Sequence, residues 1–334
     1  MSQAQETGGE EALVQEIVAA DIGGTHARFA LATVASGRVR SLGEAVTLKV
    51  ADHASLPLAW RAFAATLGRE PPRAAALAVA GPVRGDVLKF TNSPWVFRRA
   101  SLAEEIGVEK LLLINDFGAV GHAVAQIPPG DLIHIAGPRQ PFPRPGVVSI
   151  IGPGTGLGIA QLVLDLDSYR VIETEGGHVD FAPHDAFEDA LLQRMRQQFL
   201  RVSIERIVSG PGLAHIRAAL PGVDAAPVPA DDAALWSAAI SGADAFSSAA
   251  LERFCLCFGG FAGDAALIHG ASAIVLAGGL SPRIAHLLPQ SGFASRLTAK
   301  GRYSQMIAEL PVWLIGHPQP GLFGAAAAFA TQFK

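Results

Sequence analysis

Two short glycine-rich segments carry the groups best suited to phosphate chemistry. The first is Asp21-Ile22-Gly23-Gly24-Thr25, directly after the apolar run Ile17-Val18-Ala19-Ala20. The second is Gly152-Pro153-Gly154-Thr155-Gly156, directly after Val147-Val148-Ser149-Ile150-Ile151. Each pattern predicts a buried strand that breaks into a turn too tight for side chains. The apolar residues beyond each turn, at 28–32 and 157–160, predict a returning strand. Such a hairpin exposes backbone N–H groups and a threonine hydroxyl, donors that can hold phosphate oxygens. One turn of this kind says little. Two, one opening each half of the chain, point to a nucleotide held between two related domains.

Carboxylates and amides stand at other strand ends. Asn115-Asp116 follows the buried run 111–114 and precedes a helical pattern at 117–125. Ligands collect beyond the carboxyl ends of strands in open α/β sheets. Asp116 is therefore either a helix N-cap or a base for an incoming hydroxyl. Two phosphate turns in the same chain favour the base, since phosphoryl transfer needs a proton acceptor near the attacking oxygen. Glu173, Glu175, His178 and Asp180 crowd one segment around Gly176-Gly177. The glycine pair demands a bend with Glu175 and His178 on its flanks, where both can share adjacent hydroxyls of a polyol. A turn histidine is the plainer alternative, and no second histidine stands at metal-ligand spacing. Glu205, in Glu205-Arg206-Ile207-Val208-Ser209-Gly210-Pro211-Gly212, is either a pocket carboxylate or half of an ion pair. Gly278-Gly279 ends a third buried run, 273–277, where backbone without Cβ either lets a flat base or ribose approach or serves a tightly packed helix entry. Thr91-Asn92-Ser93-Pro94-Trp95 combines polar edges with an aromatic face, which suits a sugar or, more plainly, a surface turn with a buried Trp.

The elements that must position these residues follow from periodicity. The first half reads as strands at 17–20, 28–32 and 44–50, a helix at 56–67, a buried strand at 74–80, an extended stretch at 83–90, a short helix at 102–106, a strand at 111–114 and a helix at 117–125. A proline-rich linker follows, with Pro128-Pro129 and then prolines from 138 to 145. The second half reads as strands at 147–151, 157–160 and 169–174, helices at 186–199, 212–219 and 231–269, strands at 273–277 and 311–315, and a last helix at 322–333. The order of three strands, then alternating helix and strand, occurs twice. A mixed sheet covered by helices and duplicated about a cleft accounts for it.

Bulk properties exclude several classes. A chain of 334 residues favours two domains. Half of it is hydrophobic, and the formal net charge is −4, which argues against nucleic acid or anionic lipid as a partner. No apolar run is long enough for a membrane span. The polar start, with Glu6, Glu10 and Glu11 and no basic residue, reads as a frayed tail at 1–13 on a cytoplasmic protein. Cys255 and Cys257 read as core cysteines, because a structural zinc site needs about four ligands.

The matching pieces stand in one order: Asp21-Ile22-Gly23-Gly24-Thr25-His26-Ala27-Arg28, Asn115-Asp116-Phe117, the turn 152–158, Glu175-Gly176-Gly177-His178-Val179-Asp180-Phe181, the segment 205–212, Ala277-Gly278-Gly279 and Pro320-Gly321-Leu322. Together they resemble the bacterial glucokinase family, the ATP-dependent hexose kinases, over nearly the whole chain. The resemblance implies an α/β, two-domain actin-like ATPase fold, a duplicated ribonuclease H-like unit with an interdomain cleft. It implies a small domain at 14–127 plus 319–334 and a large domain at 128–318. Asp116 would take the proton from the 6-hydroxyl of glucose. Asn115, Glu175, His178 and Glu205 would hydrogen-bond other hydroxyls, with Asn92 in the same pocket. Ala20, Asp21, Ile22, Gly23, Gly24 and Thr25 would form the first phosphate turn of the ATP site, with Asp21 near Mg²⁺ through water. Gly154, Thr155 and Gly156 would form the second, and Gly278 and Gly279 would lie by the adenosine. Family members are commonly homodimers. Two departures stand out. His26 occupies a position where the family usually has Asn, and the Cys/His zinc cluster of the related repressor/kinase group is missing. The zinc-free branch is therefore implied. The alternatives are a kinase for another hexose and an actin-like ATPase acting on a protein partner.

Overall fold

The computed structural model describes residues 14–81, 83, 85–89, 95–225 and 229–334. The tail at 1–13 and Asn92 lie outside the described residues. Two compact units emerge, one comprising the chain up to Gln126 together with Gln319–Lys334, the other Ile127–Pro318.

The first unit begins with β1 (Gln15–Ile22), β2 (His26–Ala35), β3 (Arg38–Leu42), β4 (Val46–Lys49), α1 (Leu56–Thr66) and β5 (Ala74–Val79). A small hairpin of β6 (Val87–Lys89) and β7 (Val96–Arg98), then α2 (Arg99–Glu105), β8 (Lys110–Asn115) and α3 (Asp116–Gln126), follow. Its sheet runs β3-β2-β1-β5-β8, with β4 also paired to β2. β1 is antiparallel to β2 and parallel to β5, and β5 is parallel to β8. Both faces of β1 are covered. Val18, Ala20 and Ile22 pack with Trp60 and Phe63 of α1, while Ile17 and Ala19 face the opposite layer. A strand buried on both sides reads as a continuous apolar run, which is why residues 17–20 show no alternation.

The second unit holds β9 (Leu132–Ala136), β10 (Gly146–Pro153), β11 (Leu157–Leu164), β12 (Tyr169–Thr174), α4 (Ala186–Arg196), α5 (Gly212–Ala218), α6 (Asp232–Ser241) and α7 (Ala245–His269). It continues with β13 (Ala273–Leu276), α8 (Ser281–Ile284), α9 (Phe293–Thr298), α10 (Ser304–Ala308) and β14 (Val312–Ile315). Its sheet runs β12-β11-β10-β13-β14-β9. The centre repeats the first unit: β10 is antiparallel to β11 and parallel to β13, as β1 is to β2 and β5. The chain then returns to the first unit as α11 (Pro320–Gln332). This helix lays Leu322, Ala325, Ala326 and Phe329 on Ile17, Ala19, Ala76 and Ala78. Gly324 lets it approach α3 closely, since a Cβ there would fall 1.8 Å from the Ala119 carbonyl oxygen.

The structure differs from the periodicity in several places, among them 278–310, unassigned above, which holds α8, α9 and α10. The segment 38–42, unassigned above, forms edge strand β3, whose Arg38, Arg40 and Ser41 face solvent and hide its period. The linker at 128–145 contains β9, an edge strand paired to β14. The helix expected at 231–269 is two helices. Gly242, at φ 74, ends α6, and the Asp244 carboxylate caps α7 by accepting from the Phe246 and Ser247 N–H groups. Both cysteines are buried, and burial pushes the Cys255 thiol up to about 12.

A buried ion network fastens α4, α7 and α9. Glu188 of α4 is 1% exposed and pairs with Arg253 at 3.1 Å and Arg296 at 2.9 Å. Asp185, the α4 N-cap, pairs with the same two guanidinium groups. Burial alone would raise the Asp185 carboxyl. The Glu188 N–H and the Arg253 and Arg296 charges outweigh it and hold the group below the usual carboxylate range. Glu188→Ala leaves two partly buried guanidinium groups with Asp185 as their remaining carboxylate and is expected to cost about 2 kcal/mol, read from urea unfolding. Because the Asp185 value is depressed on folding, its stabilisation is full above its unfolded value of about 4 and fades as pH falls below it. Acid titration of the unfolding midpoint should show that loss, and Asp185→Asn should flatten it.

Candidate active site

The first turn is set by the backbone. The β1–β2 register runs to Ile22↔Ala27, and the Gly23 N–H closes the turn on the His26 carbonyl at 2.9 Å. Neighbouring strands brace it: the Val50 N–H donates to the Thr25 carbonyl and the Ala80 N–H to the Ile22 carbonyl. His26 opens β2 opposite Lys49. Asp21 sits across from Arg28, with Nη1 3.3 Å from Oδ2. A Cβ on Gly321, in the first turn of α11, would lie 2.8 Å from the Asp21 Cγ. Burial pushes the Asp21 carboxyl up, and the Arg28 charge and hydrogen bond only partly offset this. The carboxylate is thus held by groups of its own unit and aimed by them.

Asn115 and Asp116 leave the same edge of this sheet. Ile22, Val79 and Asn115 are in register across the parallel strands β1, β5 and β8, so two strand spacings, about 10 Å, separate the two strand ends. The N-cap role falls to Asn115. Its Oδ1 accepts from the Phe117 N–H at 2.9 Å and the Gly118 N–H at 3.1 Å, and its Nδ2 donates to the Gly81 carbonyl at 3.2 Å. Asp116 is the first residue of α3, at the positive end of the helix dipole. It accepts from the Phe117 N–H through Oδ1 at 2.9 Å.

In the second unit the turn 154–156 ends β10. The Gly154 N–H donates to the Gly156 carbonyl at 2.8 Å, and the Gly210 N–H donates to the Gly154 carbonyl at 2.7 Å. Trp236 Nε1 donates to the Gly210 carbonyl, tying that support to the core. Gly278, at φ +77, passes so close that a Cβ would lie 2.5 Å from the Pro153 carbonyl oxygen. Over Gly154 and Gly279 there is room: a Cβ on Gly279 meets nothing within 4 Å, and one on Gly154 meets only the Gly279 nitrogen, at 4.0 Å. Such open backbone suits a bound phosphate or ribose.

Beside this turn lie the pocket residues. Gly176–His178 forms one 3₁₀ turn after β12. Gly177 rides over β11, where a Cβ would fall 2.2 Å from the Leu157 carbonyl oxygen. Glu175 and His178 are exposed. The Ile204 N–H bonds to the Val179 carbonyl, bringing Glu205 to His178, with Oε1 4.0 Å from Nδ1. Glu205 Oε2 accepts from the Leu157 N–H at 2.8 Å. Asp180 is turned away, in an exposed ion pair with Arg201. Among the described residues, no group of three or more His, Cys, Asp or Glu side chains is assembled as a metal cage.

Comparison with known proteins decides the family. A family model described as Glucokinase matches residues 18–332. The chain belongs to the glucokinase family. A glucokinase from Zymomonas mobilis is 56% identical over 320 residues, covering 96% of this chain and 99% of that protein. A glucokinase crystal structure from an Antarctic psychrotroph is 34% identical with a TM-score of 0.80, covering 94% of this chain and 98% of that one. A ROK family glucokinase from Streptomyces griseus, solved in complex with glucose and AMPPNP, shares the fold at 20% identity and a TM-score of 0.60, covering 95% and 99%. The fold is the actin-like ATPase fold, as the motif order implies.

For this glucokinase-family chain, three supporting groups escaped the sequence reading. Arg28 was part of a motif with no role given, and the partner of Asp21 emerges only from the β1–β2 register. The Leu157 peptide and Gly321 act through backbone, which side-chain chemistry does not announce. A raised carboxyl favours the protonated form in the folded state, so ionised Asp21 costs stability at neutral pH. Asp21→Asn is expected to raise Tm by a few degrees at pH 7. The gain should shrink toward zero as pH falls through the ordinary Asp range, as scanning calorimetry at several pH values would show.

Proposed function

We propose that the chain transfers the γ-phosphoryl group of ATP to the 6-hydroxyl of D-glucose, giving ADP and glucose 6-phosphate. The observation that carries this reading is the placement of Glu205 and His178 together beside a glycine-rich turn of phosphate-binding type. The relatives' shared description as glucokinases supports it, as does the glucose and AMPPNP complex of the Streptomyces griseus protein.

In this reading Glu175, His178, Glu205 and Asn115 orient the sugar, with Asn92 an added contact. Asp116 accepts the proton of the 6-hydroxyl as that oxygen attacks. The turns 20–25 and 154–156 receive phosphate oxygens on backbone N–H groups, and Gly278 and Gly279 leave room for the adenosine. Mg²⁺ carried with ATP neutralises charge on the phosphates. Asp21, engaged by Arg28, fits a contact through water better than direct ligation. Catalysis then rests on positioning and on the proton acceptor, as phosphoryl transfer requires. The proposal includes a cytoplasmic homodimer working at the first step of glucose breakdown. The small domain would be 14–127 plus 319–334, and the large domain 128–318.

ADP release with Mg-ATP tests the reading against glucose, mannose, fructose, galactose and N-acetylglucosamine in turn. Glucose is expected to stimulate most, and release indifferent to every sugar would reject a sugar kinase. Asp116→Asn should lower kcat by at least about 10²-fold with an unchanged unfolding midpoint. Glu175→Gln should instead raise the glucose KM, since its contact precedes the transition state.

A further inference from the structure

Leu157 stands between the second turn and the pocket, and its backbone meets both. Its N–H donates to Glu205 Oε2 at 2.8 Å. Its carbonyl lies beneath Gly177. The residue before it, Gly156, belongs to the phosphate turn, yet its bare Cα faces Glu205: a Cβ would fall 2.5 Å from Oε2 and 3.2 Å from Cδ. No left-handed φ is found at Gly156, so what a side chain would meet there is the end of the Glu205 side chain, which would have to move aside. Gly154, two residues earlier in the same turn, has no such neighbour, its added Cβ meeting only the Gly279 nitrogen at 4.0 Å.

We propose that Gly156 is a positioning residue for sugar binding: its missing side chain makes room for the Glu205 carboxylate, which the Leu157 N–H pins by Oε2 so that Oε1 faces the sugar beside His178. The proposal rests on the glucokinase reading above. A hydrogen bond to a carboxylate is short and strong, and a carboxylate fixed at one oxygen has little freedom left to lose when a hydroxyl arrives at the other. The turn that holds nucleotide phosphate thus shapes the sugar pocket before any nucleotide binds. By reciprocity, sugar bound to Glu205 steadies the turn that receives the phosphates.

Calorimetric titration of the full chain with D-glucose, without nucleotide, tests this on Gly156→Ala, Gly154→Ala, Glu205→Ala and the Gly156→Ala/Glu205→Ala pair. Gly156→Ala is expected to raise the glucose Kd at least about tenfold, the scale of losing one hydrogen bond to a charged group. Gly154→Ala should stay within about twofold of the parent, and the pair should bind no worse than Glu205→Ala alone, the signature of residues acting through one contact. The proposal is overturned if Gly156→Ala binds glucose like the parent, if Gly154→Ala weakens binding equally, or if the pair's losses add. Should Gly156→Ala fold too poorly to titrate, Gly156→Ala/Glu205→Asp is decisive. The shorter acid withdraws from the new methyl, so the unfolding midpoint should recover, and no recovery would overturn the proposal. A parent chain that binds no glucose would reject the glucokinase reading instead, while midpoint recovery would still report on the Gly156–Glu205 contact.

Discussion

A turn that offers bare N–H groups to phosphate has few side chains of its own to hold it in shape. Glycine adds to the difficulty, since its backbone loses the most conformational freedom on ordering. The surrounding fold must therefore supply the stiffness. Around Gly154–Gly156 it comes from the Gly210 N–H on one side, Gly278 passing against the Pro153 carbonyl on another, and the Glu205 carboxylate on the Leu157 N–H. Around Gly23-Gly24 it comes from Val50 and Ala80 of neighbouring segments and from the Asp21–Arg28 pair. In both units the turn is an extension of central strands buried on both faces, so its base cannot shift without moving the core.

The two units share this core device and differ in what they hang on it. The trio β2-β1-β5 has the same senses as β11-β10-β13. The first unit adds β8, whose end presents Asn115 and Asp116. The second adds β12 and the turn after it, which brings Glu175 and His178 alongside Glu205. In the reading proposed above, a duplicated scaffold thus carries the proton acceptor in one copy and most of the polyol-binding groups in the other.

The strands of the scaffold were readable because burial on both faces makes them unbroken apolar runs, as at 147–151. Helix α3 and both glycine turns were readable for a related reason: Gly, Asn and Asp punctuate strand ends. Two of the edge strands were not, because β3 carries Arg38 and Arg40 outward and β9 lies among prolines, whereas edge strand β12 was legible at 169–174. The long helix at 231–269 misled because Ser241-Gly242-Ala243-Asp244 is a C-cap followed by an N-cap within an alanine-rich stretch that keeps its period on both sides. At the site, side chains with evident chemistry were found by type and order. Glu205 was named, yet its bond to the Leu157 N–H depends on a backbone group that every residue type shares.

The first unit is discontinuous along the chain, and this bears on the order in which the molecule is made. Until Pro320–Gln332 has left the ribosome, the face of β1 and β5 formed by Ile17, Ala19, Ala76 and Ala78 lacks its cover, as does the α3 surface that receives Gly324. The second unit, continuous from Ile127 to Pro318, can complete its core first. N-terminal segments usually fold ahead of those behind them. Here the strand that carries Asp21 must wait, half dressed, for the last helix of the sequence, so a stall in translation near residue 318 would leave an apolar sheet face open to chaperones and to aggregation.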